Sequence, residues 1–433
     1  MAGGALPKPR ERVLSGLIIA APSSGSGKTT VTLALLRLLS QRGVAVRGAK
    51  SGPDYIDPKF HEAASGQVCP NLDAWAMGPE RLCRLAAGEG LLIIEGAMGL
   101  FDGAPPDGRG AVADLARLMD LPVILVVDAG RMAGSVAPLV AGFAGFDPAV
   151  RVAGVIVNNV GSDRHEGMLR RALDPLGLPV LAALRRNAAL SQPSRHLGLR
   201  QAGEHPALEA FLDHAAQALA QTLDVDALLA RAKPLPAASA ARRMPPPAQR
   251  IAVARDLAFA FAYPHMLDDW RAGGAEITPF SPLADEAVPE ADFVYLPGGY
   301  PELYAGRLAA NTRFLSSLRA SQAQIYGECG GYMVLGTGLT DAEGERHAMA
   351  GLLSLETSFA ARKLHLGYRQ LSSLGGPFTG AMMGHEFHYA STLEATGAPL
   401  WQARDAEGTA LPDMGLRAGR VSGSFAHVID AAP

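Results

Sequence analysis

Cysteine is scarce in this chain. The 433 residues hold three, Cys69, Cys83 and Cys329, widely spaced and odd in number. No CxxC pair occurs, so neither a disulfide framework nor a zinc site is supported. A reducing cytoplasm fits best. No dense basic block occurs either, and the net charge is -3, which argues against nucleic acid as the main partner. No apolar stretch is long enough and free enough of breakers to span a membrane. No internal repeat is visible. With 48% hydrophobic and 19% charged residues, the chain is globular, not disordered.

The N-terminal MAGGALPKPRERVLSGLIIAAP has basic residues before a short apolar run, as a signal peptide does. The run flows directly into a glycine- and serine-rich loop, so it reads as a first buried strand. Short apolar, β-branched runs then recur: LSGLIIAA, VAVRGAK, LLIIEGA, PVILVVDA and VAGVIVNNV. They suit a parallel sheet buried on both faces. Helical candidates lie between them, including 29–41 and 133–143. The alternation implies a doubly wound α/β domain. Amphipathic helices over about 206–232 close it. KPLPAASAARRMPPPAQR, 233–250, reads as an exposed linker. A second α/β alternation starts at IAVARD. The expected division is 1–232, linker 233–250 and 251–433.

APSSGSGKTT, 21–30, carries the first chemistry. Gly27, Lys28 and Thr29 match the end of the phosphate-loop pattern, while Pro22 stands at its first glycine position. A strand precedes the loop, Gly25 and Gly27 permit close backbone approach, and a helix opens at Thr29 and Thr30. Backbone N–H groups and the helix N-terminus would cradle phosphates. Lys28 would meet the outer phosphates and Thr29 would reach Mg2+. Open α/β sheets bind ligands at the carboxyl ends of their strands, where acids hold Mg2+ beside phosphates. Asp54, Glu95 and Asp128 follow apolar strands, and Glu95 is the strongest of them. Any one alone can equally be a turn or cap acid. Lys50, at a strand end, is a second cation for phosphate or a carboxylate.

GECGG, 327–331, carries the second chemistry. Glycines flank a nucleophile in this way because the strand-to-helix elbow is strained and crowded. The Gly330 N–H would point into an oxyanion hole, and the Gly298-Gly299 turn could supply a second donor. Thiolate attack needs a base. His427 in VSGSFAHVID is the first candidate, with His385 and His388 in GHEFHYA as competitors. Cys69 and Cys83 fit inert packing.

With both motifs in hand, the chain resembles the cobyrinic acid a,c-diamide synthases, corrinoid amidases of cobalamin biosynthesis. The resemblance covers nearly the whole chain. It rests on APSSGSGKTT, GPDYIDPKFH, EGAMGLFDG, NNVGSDRH, SRHLGL, GGYPE and YGECGGYM. It implies a dethiobiotin-synthetase-like phosphate-loop domain fused to a class I glutamine amidotransferase domain. Cys329 would attack the glutamine side-chain amide and release ammonia. ATP with Mg2+ would activate a peripheral carboxylate of hydrogenobyrinic acid or cobyrinic acid as an acyl phosphate, which ammonia then displaces.

By match, Cys329 is the nucleophile and His427 its base, with Gly299 and Gly330 as oxyanion donors. Gly25, Gly27, Lys28, Thr29, Thr30 and Lys50 match nucleotide-site positions. Thr29, Asp54 and Glu95 match metal positions. His388 would line the ammonia route or corrinoid pocket. The usual third triad member is a Glu two residues after the histidine. Here Ile429 stands there and Asp430 one later, so the orienting carboxylate stays open, and a Cys-His dyad would serve. The expected enzyme is a cytoplasmic carbon-nitrogen ligase, with a homodimer as one open assembly. The alternatives are a cobyric acid synthase-type amidase, a regulatory phosphate-loop ATPase with a docking module, and a ligase using free ammonia. Intact Cys329 and His427 count against the last two.

Overall fold

The computed structural model describes residues 14–190, 194–195, 198–238 and 241–433. The initial basic segment lies outside the described residues, as do His196 and Leu197 of the SRHLGL stretch. The chain divides into two compact units: 1–103, 108–193 and 205–241, then 104–107, 194–204 and 242–433.

The first unit is built on strands β1 (Ser15–Ala20), β2 (Val46–Ser51), β3 (Asn71–Leu72), β4 (Leu91–Glu95), β5 (Val123–Asp128), β6 (Val152–Val160) and β7 (Val180–Arg185). Their order is β3-β2-β4-β1-β5-β6-β7, and all neighbours are parallel. Leu17, Ile18 and Ile19 of β1 and Leu92, Ile93 and Ile94 of β4 are fully buried. Helices on both faces explain why these runs are continuously apolar and not alternating. The order turns at β1, where a switch point opens a crevice beyond the strand ends. Register then places the chemistry. Lys50 in β2 pairs with Glu95 in β4, and Ile19 in β1 pairs with Glu95 from the other side.

Helix α1 (Lys28–Gln41) follows β1 directly. It starts at Gly27, φ 92°, with no side-chain cap and no acid in its first turn. Its first amides are therefore open to an anion. Helix α2 (Asp57–Ser65) follows β2. The helices at Leu208–Ala220 and Val225–Leu229 lie inside the amphipathic 206–232 span.

The stretch read as an exposed linker is fastened at both ends. Lys233 and Pro234 pair antiparallel with Gly16 and Ser15 of β1. Met244 is buried, and its N–H donates to Asp269 Oδ2 at 3.0 Å. Proline and alanine hid both attachments, because neither residue type carries a periodic signal.

The second unit has a central sheet ordered Glu276–Phe280, Arg250–Ala254, Phe293–Leu296, Gln324–Glu328, Val421–Ser424 and Leu416–Ala418. Only the last pairing in it is antiparallel. Val294, Leu296 and Ile325 of this sheet share one core with Phe314, Leu318 and Leu335. A separate antiparallel sheet holds Trp401–Arg404, His365–Ser373, Ala381–His388 and His427–Ala431 in that order. The nucleophile elbow therefore ends a central parallel strand. The histidine candidates come from two adjacent strands of the second sheet, where His385 pairs with His427.

Candidate active site

The first site gathers at the carboxyl ends of β1, β2 and β4. Gly27 cannot carry a side chain here: a Cβ would stand 2.1 Å from Asn158 Nδ2, and the backbone is left-handed. Asn158 in turn donates to the Ser26 carbonyl at 3.0 Å, which steadies the loop. Gly25 is left-handed too, at φ 80°. Lys28 folds back over the loop, and its ammonium donates to the carbonyls of Ser23 and Met98. Burial, followed by the Lys50 charge, lowers the Lys28 pKa to about 8.

Thr29 Oγ1 donates to Glu95 Oε1 at 2.6 Å and lies 3.5 Å from Asp57 Oδ2. Lys50 Nζ bridges the same two acids, at 2.6 Å to Asp57 and 2.7 Å to Glu95. Burial opposes the Lys50 charge, but Asp57 and Glu95 outweigh it and hold its pKa above the usual lysine range. Burial pushes Asp57 up to about 7, with Asp54 adding to the rise. Burial also opposes the charge on Glu95, yet Lys50 and His61 hold its carboxyl below the usual range.

Asp57, not Asp54, is thus the second acid of this cluster. Asp54 Oδ1 accepts the N–H groups of Ile56 and Asp57 at 2.8 and 2.9 Å, closing the turn into α2. Asp128 likewise caps its own turn through the Gly130 N–H at 2.9 Å. The sequence holds Asp57 inside the same GPDYIDPKFH segment. What decides between the two acids is the turn, which uses the first to aim the second.

His61 was also missed. It is fully buried, with Nε2 2.6 Å from Glu95 Oε2 and Nδ1 3.4 Å from Cys69 Sγ. Burial opposes its charge, but Cys69 and Glu95 pull its pKa up to about 10. Cys69 is therefore more than packing: its thiol sits on the far nitrogen of the ring that holds Glu95. Burial pushes that thiol up. Lys50 is balanced by Asp57 and Glu95. The open helix start and the left-handed loop fit a nucleotide triphosphate. Thr29, Asp57 and Glu95 form an oxygen donor set of the kind Mg2+ takes.

The second site forms around Cys329. Its backbone is left-handed, φ 47° and ψ -104°, a strained conformation for a side-chain-bearing residue. The elbow is locked by the Cys329 N–H donating to the Ser424 carbonyl at 2.8 Å, and by the Met333 N–H on the Cys329 carbonyl at 3.0 Å. Close packing demands glycine behind it: a Cβ on Gly331 would lie 1.9 Å from the Leu296 carbonyl oxygen.

The neighbouring Gly298-Gly299 turn lies against both chemical groups. A Cβ on Gly298 would meet His427 Cε1 at 2.3 Å, His427 Nε2 at 3.1 Å and Cys329 Cβ at 3.3 Å. A Cβ on Gly330 would meet the Gly299 nitrogen at 3.0 Å. The two expected oxyanion amides therefore stand side by side, and the Gly330 N–H is directed at the Cys329 sulfur. Burial, with Glu302 next, pushes the Cys329 thiol above the ordinary range. Burial, then the neighbouring His385 and His388, lowers His427 to about 3. The pair rests as thiol and neutral imidazole, which leaves His427 able to take a proton.

The competing histidines have other surroundings. Burial lowers His385 to about 3. His388 Nε2 lies 3.0 Å from Glu386 Oε1, and Arg369 holds the other Glu386 oxygen at 2.6 Å. Burial opposes the Glu386 charge, but His388 and Arg369 bring its pKa down to about 2. His365, Glu386 and His388 lie close enough to hold a metal ion. However, the rings of His365 and His388 stack at 4.7 Å and 5°, so their lone pairs lie in parallel planes and do not converge. The Arg369 guanidinium also occupies the carboxylate. The group reads as a wall of the thiol site.

Residues 17–199 match the family described as the CobQ/CobB/MinD/ParA nucleotide binding domain. Residues 250–432 match the CobB/CobQ-like glutamine amidotransferase domain. Hydrogenobyrinate a,c-diamide synthase of Brucella anthropi is 57% identical over 431 residues, covering 96% of this chain and 99% of the relative. The chain belongs to the hydrogenobyrinate a,c-diamide synthase family. The synthase of that name from Rhizobium meliloti is 56% identical over 427 residues, covering 96% and 99%. The one from Rhodobacter capsulatus is 54% identical over 428 residues, covering 96% and 98%. The protein is accordingly a ligase of the glutamine amidotransferase type with a nucleotide-binding domain, acting in cobalamin biosynthesis. Among the described residues, no helix is long and apolar enough to cross a membrane.

Proposed function

We propose that this enzyme amidates the a and c acetate side chains of hydrogenobyrinic acid in the cytoplasm, using ATP, Mg2+ and glutamine. The observation that carries this reading is the co-occurrence, in one chain, of the Lys28–Thr29–Lys50–Glu95 cluster and the strained Cys329 elbow. The names of the relatives favour the cobalt-free ring over cobyrinic acid and over the other side chains that a cobyric acid synthase amidates.

In the thiol site, His427 takes the Cys329 proton as sulfur attacks the glutamine amide carbon. The Gly299 and Gly330 N–H groups receive the oxyanion. His427 returns its proton to the departing nitrogen, so ammonia leaves and a glutamyl thioester remains. Water then releases glutamate and regenerates the thiol. In the nucleotide site, Gly25, Gly27, Thr30 and the α1 amides cradle phosphate oxygens, and Lys28 draws charge from the transferring phosphoryl group. Thr29, Asp57 and Glu95 would hold Mg2+, which would neutralise phosphate charge when bound. Lys50 fixes the two acids. A carboxylate is a poor acyl donor until its oxygen becomes a phosphate leaving group, so phosphorylation precedes ammonia attack.

The test is nitrogen-source dependence. Cys329→Ala with hydrogenobyrinic acid, ATP and Mg2+ is expected to lose amidation driven by glutamine and to keep amidation driven by ammonium. Loss of both would count against separate thiol and nucleotide sites.

A further inference from the structure

The residue two places after the histidine, Ile429, carries no carboxylate. In the strand His427–Ala431 a bulge at Ile429 interrupts the alternation: His427 pairs with His385 and Asp430 with Met383, so the two share a face. Asp430 Oδ1 accepts the Ala431 N–H at 2.9 Å. A different carboxylate stands beside the imidazole. Glu328, the residue before the nucleophile, is fully buried, with Oε2 3.7 Å from His427 Nδ1.

We infer that Glu328 is the positioning carboxylate of the Cys329–His427 pair, supplied from the nucleophile strand. This rests on the glutaminase reading above. The Val428 N–H donates to Glu328 Oε1 at 3.0 Å, so the same carboxylate grips the backbone next to His427. The Tyr295 and Tyr326 hydroxyls donate to it at 2.7 and 3.1 Å. A carboxylate buried without water is costly unless such donors hold it. Burial pushes Glu328 up to about 7, and the same three donors limit that rise.

The geometry assigns a task to each end of the pair. Glu328 on Nδ1 selects the tautomer with its proton there, leaving Nε2, on the Gly298 and Cys329 side, as the acceptor for the thiol proton. The gap of 3.7 Å is longer than a hydrogen bond and shortens as His427 gains charge. Bond-making stays between sulfur and the amide carbon; Glu328 takes no proton from the reaction.

The experiment compares glutaminase kinetics with ammonium-driven amidation. Glu328→Gln keeps the shape and removes the charge. It is expected to lower glutaminase kcat roughly tenfold or more, with KM for glutamine within about twofold and ammonium-driven amidation unchanged. Adding Ile429→Glu to Glu328→Gln returns a carboxylate to the strand of His427 and is expected to recover part of the lost kcat. Wild-type kcat in Glu328→Gln overturns the inference. If that variant fails to fold, nitrogen-15 histidine NMR of the intact enzyme decides, with His427→Gln used for assignment. A proton on Nδ1 is expected, and a proton on Nε2 overturns it. Cys329→Ala run alongside separates the two claims: if it retains glutamine-driven amidation, the glutaminase reading itself fails.

Discussion

The two sites solve opposite electrostatic problems. The nucleotide site concentrates charge: Lys28, Lys50, Asp57, His61 and Glu95 meet at the ends of three parallel strands. The thiol site suppresses charge at its reacting pair, since burial keeps Cys329 protonated and His427 neutral. The first holds a permanently charged ligand and needs countercharge before it arrives. The second must make its ion only when glutamine is in place, and it holds the strained Cys329 backbone ready for that step. Preorganised charge and deferred charge are both ways to lower a barrier, and one chain uses each where the ligand demands it.

The largest expected effects come from removing the central group of either site. Cys329→Ala should abolish the glutamine-driven reaction and spare the ammonium-driven one. Lys28→Ala should abolish both, by roughly a hundredfold or more, because it removes countercharge from the transferring phosphoryl group. Amide formation measured with each nitrogen source distinguishes them. A variant of Lys28 that impaired only the glutamine reaction would erase the contrast between the sites.

A smaller effect is expected at Gly27. Gly27→Ala forces a Cβ onto Asn158 in a left-handed backbone. Nucleotide affinity should fall at least roughly tenfold, measured by calorimetry, with glutaminase activity intact.

The acids of GPDYIDPKFH give a sharper test. Asp57→Asn should weaken Mg2+-dependent nucleotide binding. Asp54→Ala should mainly lower Tm, through loss of turn hydrogen bonds worth about 1 kcal/mol. Equal losses of Mg2+-dependent binding in both would place Asp54 in the cluster as well.

The mildest test is pH. With Lys28 lowered to about 8, its charge is present below that pH and lost above it. Triphosphate binding favours the charged form, so affinity should weaken as pH rises through about 8, and binding above that point should take up a proton. Calorimetry in buffers of different ionisation heat reads that uptake. Its absence would move the responsible group elsewhere.

Much of this was legible in the sequence because it was local. APSSGSGKTT and GECGG name their own geometry, since a glycine frame around Lys28 or Cys329 has few other uses. The continuous apolar strands announced a parallel sheet. Asp57, His61 and Glu328 were not legible, because their roles depend on pairing between distant strands. Lys50 meets Glu95 through β2–β4 register, and His61 reaches Glu95 across 34 positions. Glu328 meets His427 across 99 positions, which no spacing rule within a motif can show. Cys69 looked like packing for the same reason, as its partner His61 lies on α2, eight residues earlier.

The most direct measurement is the mass of the corrinoid product. Purified enzyme is given ATP, Mg2+ and glutamine, with hydrogenobyrinic acid and cobyrinic acid in parallel. The account predicts two carboxyl-to-amide conversions on hydrogenobyrinic acid. No conversion of either ring, with glutaminase activity intact, would contradict it and mean that the acceptor is something else.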